Sequence, residues 1–175
     1  MSALFVPYAA AAVLLVVAGV PKLLDPAPTR RAAEQAGLPS SATVVRLLGL
    51  AETVVGVTAL LVGGPVPATA VAVAYLGFAA VVTRGLLRGD LESCGCFNGT
   101  DAPPSPLHVA LDLGLAASAV AVALGPTTSW PALAADEPGT ALVTALLALT
   151  VAGLVYLVMA RLPRVAAPVL RGATR

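Results

Sequence analysis

Cys94 and Cys96, separated by Gly95 and followed by Phe97, are the two cysteines of this chain, and such a pair has two chemistries open to it, thiol–disulfide exchange and soft-metal ligation. Residues two apart in a turning loop have Cα atoms about 5.5–7 Å apart, which overlaps the range a disulfide accepts, and a central glycine supplies the backbone freedom so small a ring demands. The bridge would be strained, and strain makes a disulfide easier to reduce, so the pair suits exchange better than permanent stapling. Closing so short a loop also constrains the unfolded chain little. Arg88 favours thiolate nearby, whereas Asp90 and Glu92 oppose it. For a metal, the donors would be the two thiolates with His108, the one histidine of the chain, and Asp112; this falls short of a structural zinc pattern, and no metal is assigned. Two idle, reduced cysteines are the remaining reading.

Ionisable residues inside apolar stretches are the second chemical signal, because their cost in hydrocarbon is such that they face a partner or a cavity. Glu52 lies near the middle of one stretch, and Asp112 lies about five residues into another with His108 one helical turn before it. Together with Arg84 and Arg88 these form a candidate set of supporting polar residues near the dithiol. They read either as a proton or ligand site, or as carboxylates neutralised by Lys22, Arg46 or Arg84 in structural ion pairs.

The elements that must position these residues follow from composition. With 58% hydrophobic and 11% charged residues and a mean hydropathy of +0.93, the chain is excluded from the ordinary soluble class. Its 175 residues hold about five spans of roughly 20 residues each. Five apolar stretches stand at about residues 4–20, 43–62, 67–87, 107–124 and 140–160, and of the 15 prolines only Pro7 and Pro67 fall within them, each in a first turn. Others, including Pro21, Pro65, Pro103, Pro104 and Pro106, mark the connections. The expected fold is an all-α integral membrane protein, a bundle of four transmembrane helices plus a fifth C-terminal one. No basic residue precedes the first stretch, so it reads as a retained helix and not as a secretory signal.

All ten Lys and Arg lie in the connections of one side or just inside the stretches that border them: Lys22, Arg30, Arg31 and Arg46, then Arg84 and Arg88, then Arg161, Arg164, Arg171 and Arg175. The other side carries Asp136 and Glu137. The positive-inside rule therefore sets the N-terminus outside and the C-terminus, with the Cys94/Cys96 loop, on the cytoplasmic side. Between the first two stretches, Arg30 and Glu34 stand four apart and Gly37 and Pro39 follow, which predicts a short surface helix over 28–36 lying against the bilayer. Gly49, Gly56 and Gly63 recur every seventh residue, a stripe suited to close helix packing.

Three features in order, Ala18-Gly19-Val20-Pro21-Lys22-Leu23-Leu24-Asp25-Pro26, the acidic Glu52, and Cys94-Gly95-Cys96-Phe97 with Gly99 shortly after, resemble the methylamine-utilisation protein MauE family within the wider DoxX-like group of small membrane proteins. Asn98 departs from the direct step into glycine common there. The resemblance spans roughly residues 4–125, which suggests a four-helix membrane domain at 1–125, with the loop, fifth span and basic tail at 126–175 added to it. It implies a membrane helper in the maturation of a client redox protein, in the family the methylamine dehydrogenase small subunit, acting with a thioredoxin-like partner. Cys94 and Cys96 map onto the family's redox pair. A lipid-phase quinone held in the bundle is the membrane electron acceptor consistent with such a role, and no other cofactor is implied. The bilayer is a partner and nucleic acid is not. Exported proteins gain disulfides outside the cytoplasm, whereas the basic residues set this dithiol inside, and here the ten-to-none asymmetry takes precedence. A non-enzymatic scaffold that binds a client through its helical surface, and a small metal-binding or transport protein, are the alternatives.

Overall fold

The computed structural model describes residues 4–88, 97, 105–125 and 129–160. Among the described residues seven helices follow in order: α1 (Phe5–Leu24), α2 (Ala27–Gln35), α3 (Ala42–Leu61), α4 (Pro65–Arg88), α5 (Pro106–Leu124), α6 (Trp130–Asp136) and α7 (Pro138–Ala160). Of these α1, α3, α4, α5 and α7 are long and apolar enough to cross a membrane, and the chain is an all-α, multi-pass membrane protein as its apolar runs predict. Proline opens α4, α5 and α7, where its missing N–H would have had no helical acceptor.

Helix α1 is the axis of the bundle. Ala9, Ala10, Ala11 and Ala12 are each at most 1% exposed, and four successive residues sweep the whole circumference of a helix, so neighbours surround α1 at this level. Small side chains make that possible. Helix α3 packs along one face of α1 and α7 along another, while α4 and α5 form a pair that closes the remaining side. The fifth span is thus not peripheral to a closed set of four: its Ala141, Thr144, Ala148, Ala152, Val155 and Met159 are buried in the assembly. Two tyrosines tie the core across helices, Tyr75 of α4 donating to the Ala11 carbonyl at 2.9 Å and Tyr8 of α1 to the Ala59 carbonyl at 3.4 Å.

The α1–α3 contact runs over glycines. A Cβ on Gly19 would lie 2.5 Å from the Gly49 carbonyl oxygen, and one on Gly56 would lie 2.5 Å from that of Ala12, so the backbones touch where these side chains are missing. Gly49 and Gly56 belong to this contact, but Gly63 does not. It stands beyond the end of α3 with φ 66° and donates its N–H to the Thr58 carbonyl, a helix-terminating role that its seven-residue register disguises. A second departure concerns Pro21, which lies inside α1 and not in the connection. Pro21 has no N–H to donate within the helix, yet α1 runs on to Leu24, and that extra turn carries Lys22 into the interior.

The surface helix expected over 28–36 is α2. It ends in a Schellman motif: Gly37, at φ 65°, donates to the Glu34 carbonyl and Leu38 donates to that of Ala33. The Arg30–Glu34 pair spans 3.5 Å with both side chains about half exposed, a contact worth little in stability. Arg88, in the last turn of α4, donates to the Ala36 carbonyl at 3.1 Å, where a cation also meets the negative end of the α2 dipole. Replacing Gly37 by alanine should cost about 1 kcal/mol, because alanine resists the left-handed conformation, and its Cβ would meet the Arg88 guanidinium at 2.8 Å. Faster amide exchange confined to α2, with the spans unchanged, is the expected signature.

Candidate functional site

The polar residues of the interior gather toward the end of the bundle where α1, α4 and α7 finish and α3 and α5 begin. Lys22 and Glu52, 1% and 3% exposed, form a two-pronged ion pair in which Nζ lies 2.9 Å from Oε1 and 2.7 Å from Oε2. Gly49, one turn before Glu52, permits it: a Cβ there would sit 2.9 Å from the Lys22 Cβ. The Lys22 ammonium also stands 5.8 Å from the centroid of the Phe78 ring, a cation–π distance. Of the possible partners for the buried carboxylates, Glu52 therefore takes Lys22 and not Arg46 or Arg84, both of which are exposed.

His108, 2% exposed, joins α5 to α7. Its Nδ1 lies 2.7 Å from the Ser105 hydroxyl and its Nε2 lies 3.1 Å from the Met159 carbonyl oxygen. A carbonyl only accepts, so Nε2 carries the proton and, in the neutral ring, Nδ1 accepts from Ser105. Asp112, one turn on, is 3% exposed, and its Oδ2 has no hydrogen-bond partner among the described residues. It lines a small cavity of about 20 Å³ with Leu14, Ala18, Tyr75, Phe78, Phe97 and Met159. Both carboxylates thus point into the bundle, as their cost in lipid requires.

Cys94 and Cys96 lie outside the described residues. Phe97, next in the chain, is 7% exposed, and its ring meets that of Tyr156 edge-on at 5.1 Å and 81°. The sequence-predicted polar residues are accordingly divided. Glu52 is closed off by Lys22, His108 is engaged by Ser105 and Met159, Asp112 faces the cavity, Arg88 holds α2, and Arg84 is exposed at the same end, its Nη2 3.5 Å from where a Gly37 Cβ would stand. Phe78 separates the ion pair from the cavity, since it contacts Lys22 and lines the Asp112 space.

The residues that sequence reasoning passed over are Tyr75, Phe78, Tyr156 and Met159, which look like ordinary span residues; Phe97 is visible there as part of the Cys94-Gly95-Cys96-Phe97 motif, a large apolar residue in a polar connection. Among the described residues no three His, Cys, Asp or Glu side chains gather as a metal site would need. Beyond the polar interior, an apolar groove of about 550 Å³ runs between α3 and α4, with Glu52 and Phe78 among its lining residues.

The sequence model of the family described as methylamine utilisation protein MauE matches residues 1–125. No curated protein and no solved structure matches the chain.

Proposed function

Because the chain belongs to the methylamine utilisation protein MauE family, we propose that this multi-pass membrane protein assists the maturation of a partner redox protein by thiol–disulfide exchange at Cys94 and Cys96. The observation that carries the reading is the anchoring of Phe97, which directly follows Cys96 in sequence and is clasped by Tyr156 over the Asp112 cavity. An anchor beside a reactive pair limits the conformations from which in-line attack must be found. The pair serves as a disulfide donor. A client thiolate attacks one sulfur, the S–S bond breaks with its electrons on the other sulfur, and a second client thiolate resolves the mixed disulfide. The client leaves oxidised, and Cys94 and Cys96 are left as a dithiol. A thioredoxin-like partner, or a membrane quinone reached through the bilayer, takes those two electrons back.

In this reading residues 1–125 carry the exchange site, and the segment 126–175 adds α7, whose Tyr156 and Met159 support Phe97 and His108. The N-terminus is outside and the C-terminus cytoplasmic. Lys22, Arg30, Arg31, Arg46, Arg84 and Arg88 belong to the connections and helix ends of one side, opposite Asp136 and Glu137, which supports that orientation. The metal-binding alternative is less well supported, since both ring nitrogens of His108 already have protein partners. Replacing either cysteine by serine should abolish client oxidation, with one of the single variants accumulating a mixed disulfide, while membrane insertion is unchanged. Labelling of intact cells with a membrane-impermeant thiol reagent should leave the pair unmodified if it is cytoplasmic. Client maturation as complete in the double serine variant as in the parent would replace exchange by the scaffold reading.

A further inference from the structure

Arg84 and Arg88 stand one turn apart in the last two turns of α4, and so on one face of it. Among the described residues the ion pairs are Lys22–Glu52 and Arg30–Glu34, so neither arginine has a carboxylate partner there. Their guanidinium groups nonetheless converge. A Cβ on Gly37 would stand 2.8 Å from Nη1 of Arg88 and 3.5 Å from Nη2 of Arg84, which brings two like charges to one spot. Nη1 of Arg88 donates to the Ala36 carbonyl, and the rest of the ten N–H donors of the two groups are available to a further acceptor. The same two residues line a groove of about 690 Å³ between α4 and α5, whose walls are otherwise apolar, with Leu76, Ala80 and Leu87 on one side and Val109 and Leu113 on the other. Leu76, Leu87 and Leu113 are exposed along it. From Leu76 to Arg88 the helix rises about 18 Å, slightly more than the roughly 15 Å of hydrocarbon in one leaflet.

We propose that the α4–α5 groove binds one anionic phospholipid, with its phosphate between Arg84 and Arg88 and an acyl chain laid along Leu76, Ala80 and Leu113. Both halves of the site point to that ligand. Two cations this close repel each other unless an anion joins them, and the flat guanidinium fork matches the oxygens of a phosphate. Arginines at the end of a span reach the level of the lipid headgroups, and basic pockets between spans are a recurrent way of holding anionic ones. An uncharged lipid would fill the groove and leave the cations facing each other, whereas a soluble phosphate would neutralise them and leave the groove open. The phospholipid satisfies both. Its phosphate would also keep Arg88 in place against the Ala36 carbonyl, so that the lipid helps to hold α2 on the bundle. The site is independent of the exchange chemistry proposed above and of which membrane face is cytoplasmic.

The test titrates the purified full chain, in detergent, with phosphatidylglycerol or with phosphatidylcholine of the same acyl chains, and counts bound lipid by native mass spectrometry. The parent should retain one phosphatidylglycerol about tenfold more tightly than phosphatidylcholine, since the two differ in net charge and share everything else. Arg84→Gln should remove most of that preference, and because Arg84 is exposed the fold should tolerate the change. Ala80→Phe, which leaves both arginines intact and fills the groove, should weaken both lipids alike. Inorganic phosphate should not displace the bound lipid. Equal retention of the two lipids by the parent would overturn the site without reference to any variant. An undiminished preference in Arg84→Gln would place the lipid elsewhere, and displacement by inorganic phosphate would reduce the site to an anion site without a chain.

Discussion

Lys22→Met alone should lower the stability of the solubilised protein by about 3–5 kcal/mol, and adding Glu52→Leu should recover most of that loss. The single change removes the cation from a carboxylate that is 3% exposed and makes both of its short contacts to that one ammonium. What it leaves is a buried charge without a counter-ion, which costs far more than a surface pair contributes. The double change removes the stranded charge as well and lets apolar side chains fill the same space, an exchange that is often neutral or stabilising. Thermal or denaturant unfolding followed by helical signal reads both effects. Under the proposed function, the cycle also separates structure from chemistry: if the pair only holds α1 to α3, the double variant should support client maturation as the parent does, and a stable but inactive double variant would assign the charges a part in the chemistry. A loss below about 1 kcal/mol for Lys22→Met would show that Glu52 finds another partner.

Much of this architecture is legible in the chain. The span limits follow from apolar runs punctuated by proline, because a proline beyond the first turn removes a helical hydrogen bond that lipid cannot replace. Helix α2 is legible too, since Gly37 supplies the left-handed residue that its Schellman motif requires. Helix α6 was not. Its seven residues, Trp130–Asp136, lie in a stretch whose prolines read as a loop, and its visible start signals were the Ser129 cap, which accepts from the Ala132 N–H, and Pro131. Pro21 misled for the reverse reason, being tolerated in the last turn of α1.

The polar interior was legible as composition and not as pairing. Glu52 and Asp112 stand out because charge in a span is rare, yet which cation meets which carboxylate depends on how α1, α3 and α5 sit around one another, and periodicity within a single helix contains no information on that. Lys22 reads as part of the connection because it follows the apolar run, although the last turn of α1 carries it into the interior. His108 and Asp112 share a helical face as their spacing requires, and what divides their roles is the neighbouring helix: α7 offers the Met159 carbonyl to one and only apolar side chains to the space beside the other.

Alanine at Gly19 or Gly56 should cost roughly 1–3 kcal/mol each, whereas alanine at Gly77, Gly114 or Gly153 should be neutral or stabilise by up to about 1 kcal/mol. The five changes are chemically identical and differ in what the new methyl meets. At Gly19 and Gly56 it meets carbonyl oxygens of the facing helix at 2.5 Å, and a backbone cannot rotate away; at the other three nothing lies within 4 Å. In a soluble protein, hydrophobic burial would hold the two helices together after such a shift. In lipid the separated faces meet hydrocarbon chains as apolar as themselves, so close packing is the main attraction lost. Gly49→Ala links this contact to the ion pair, since its methyl would press the Lys22 Cβ at 2.9 Å as well as the Gly19 carbonyl at 2.7 Å. Its cost should therefore shrink by about 0.5–3 kcal/mol when measured in the Lys22→Met/Glu52→Leu background, where no ammonium has to stay in register with a carboxylate. Equal costs in the two backgrounds would mean that the glycine contact and the ion pair stabilise the α1–α3 interface independently.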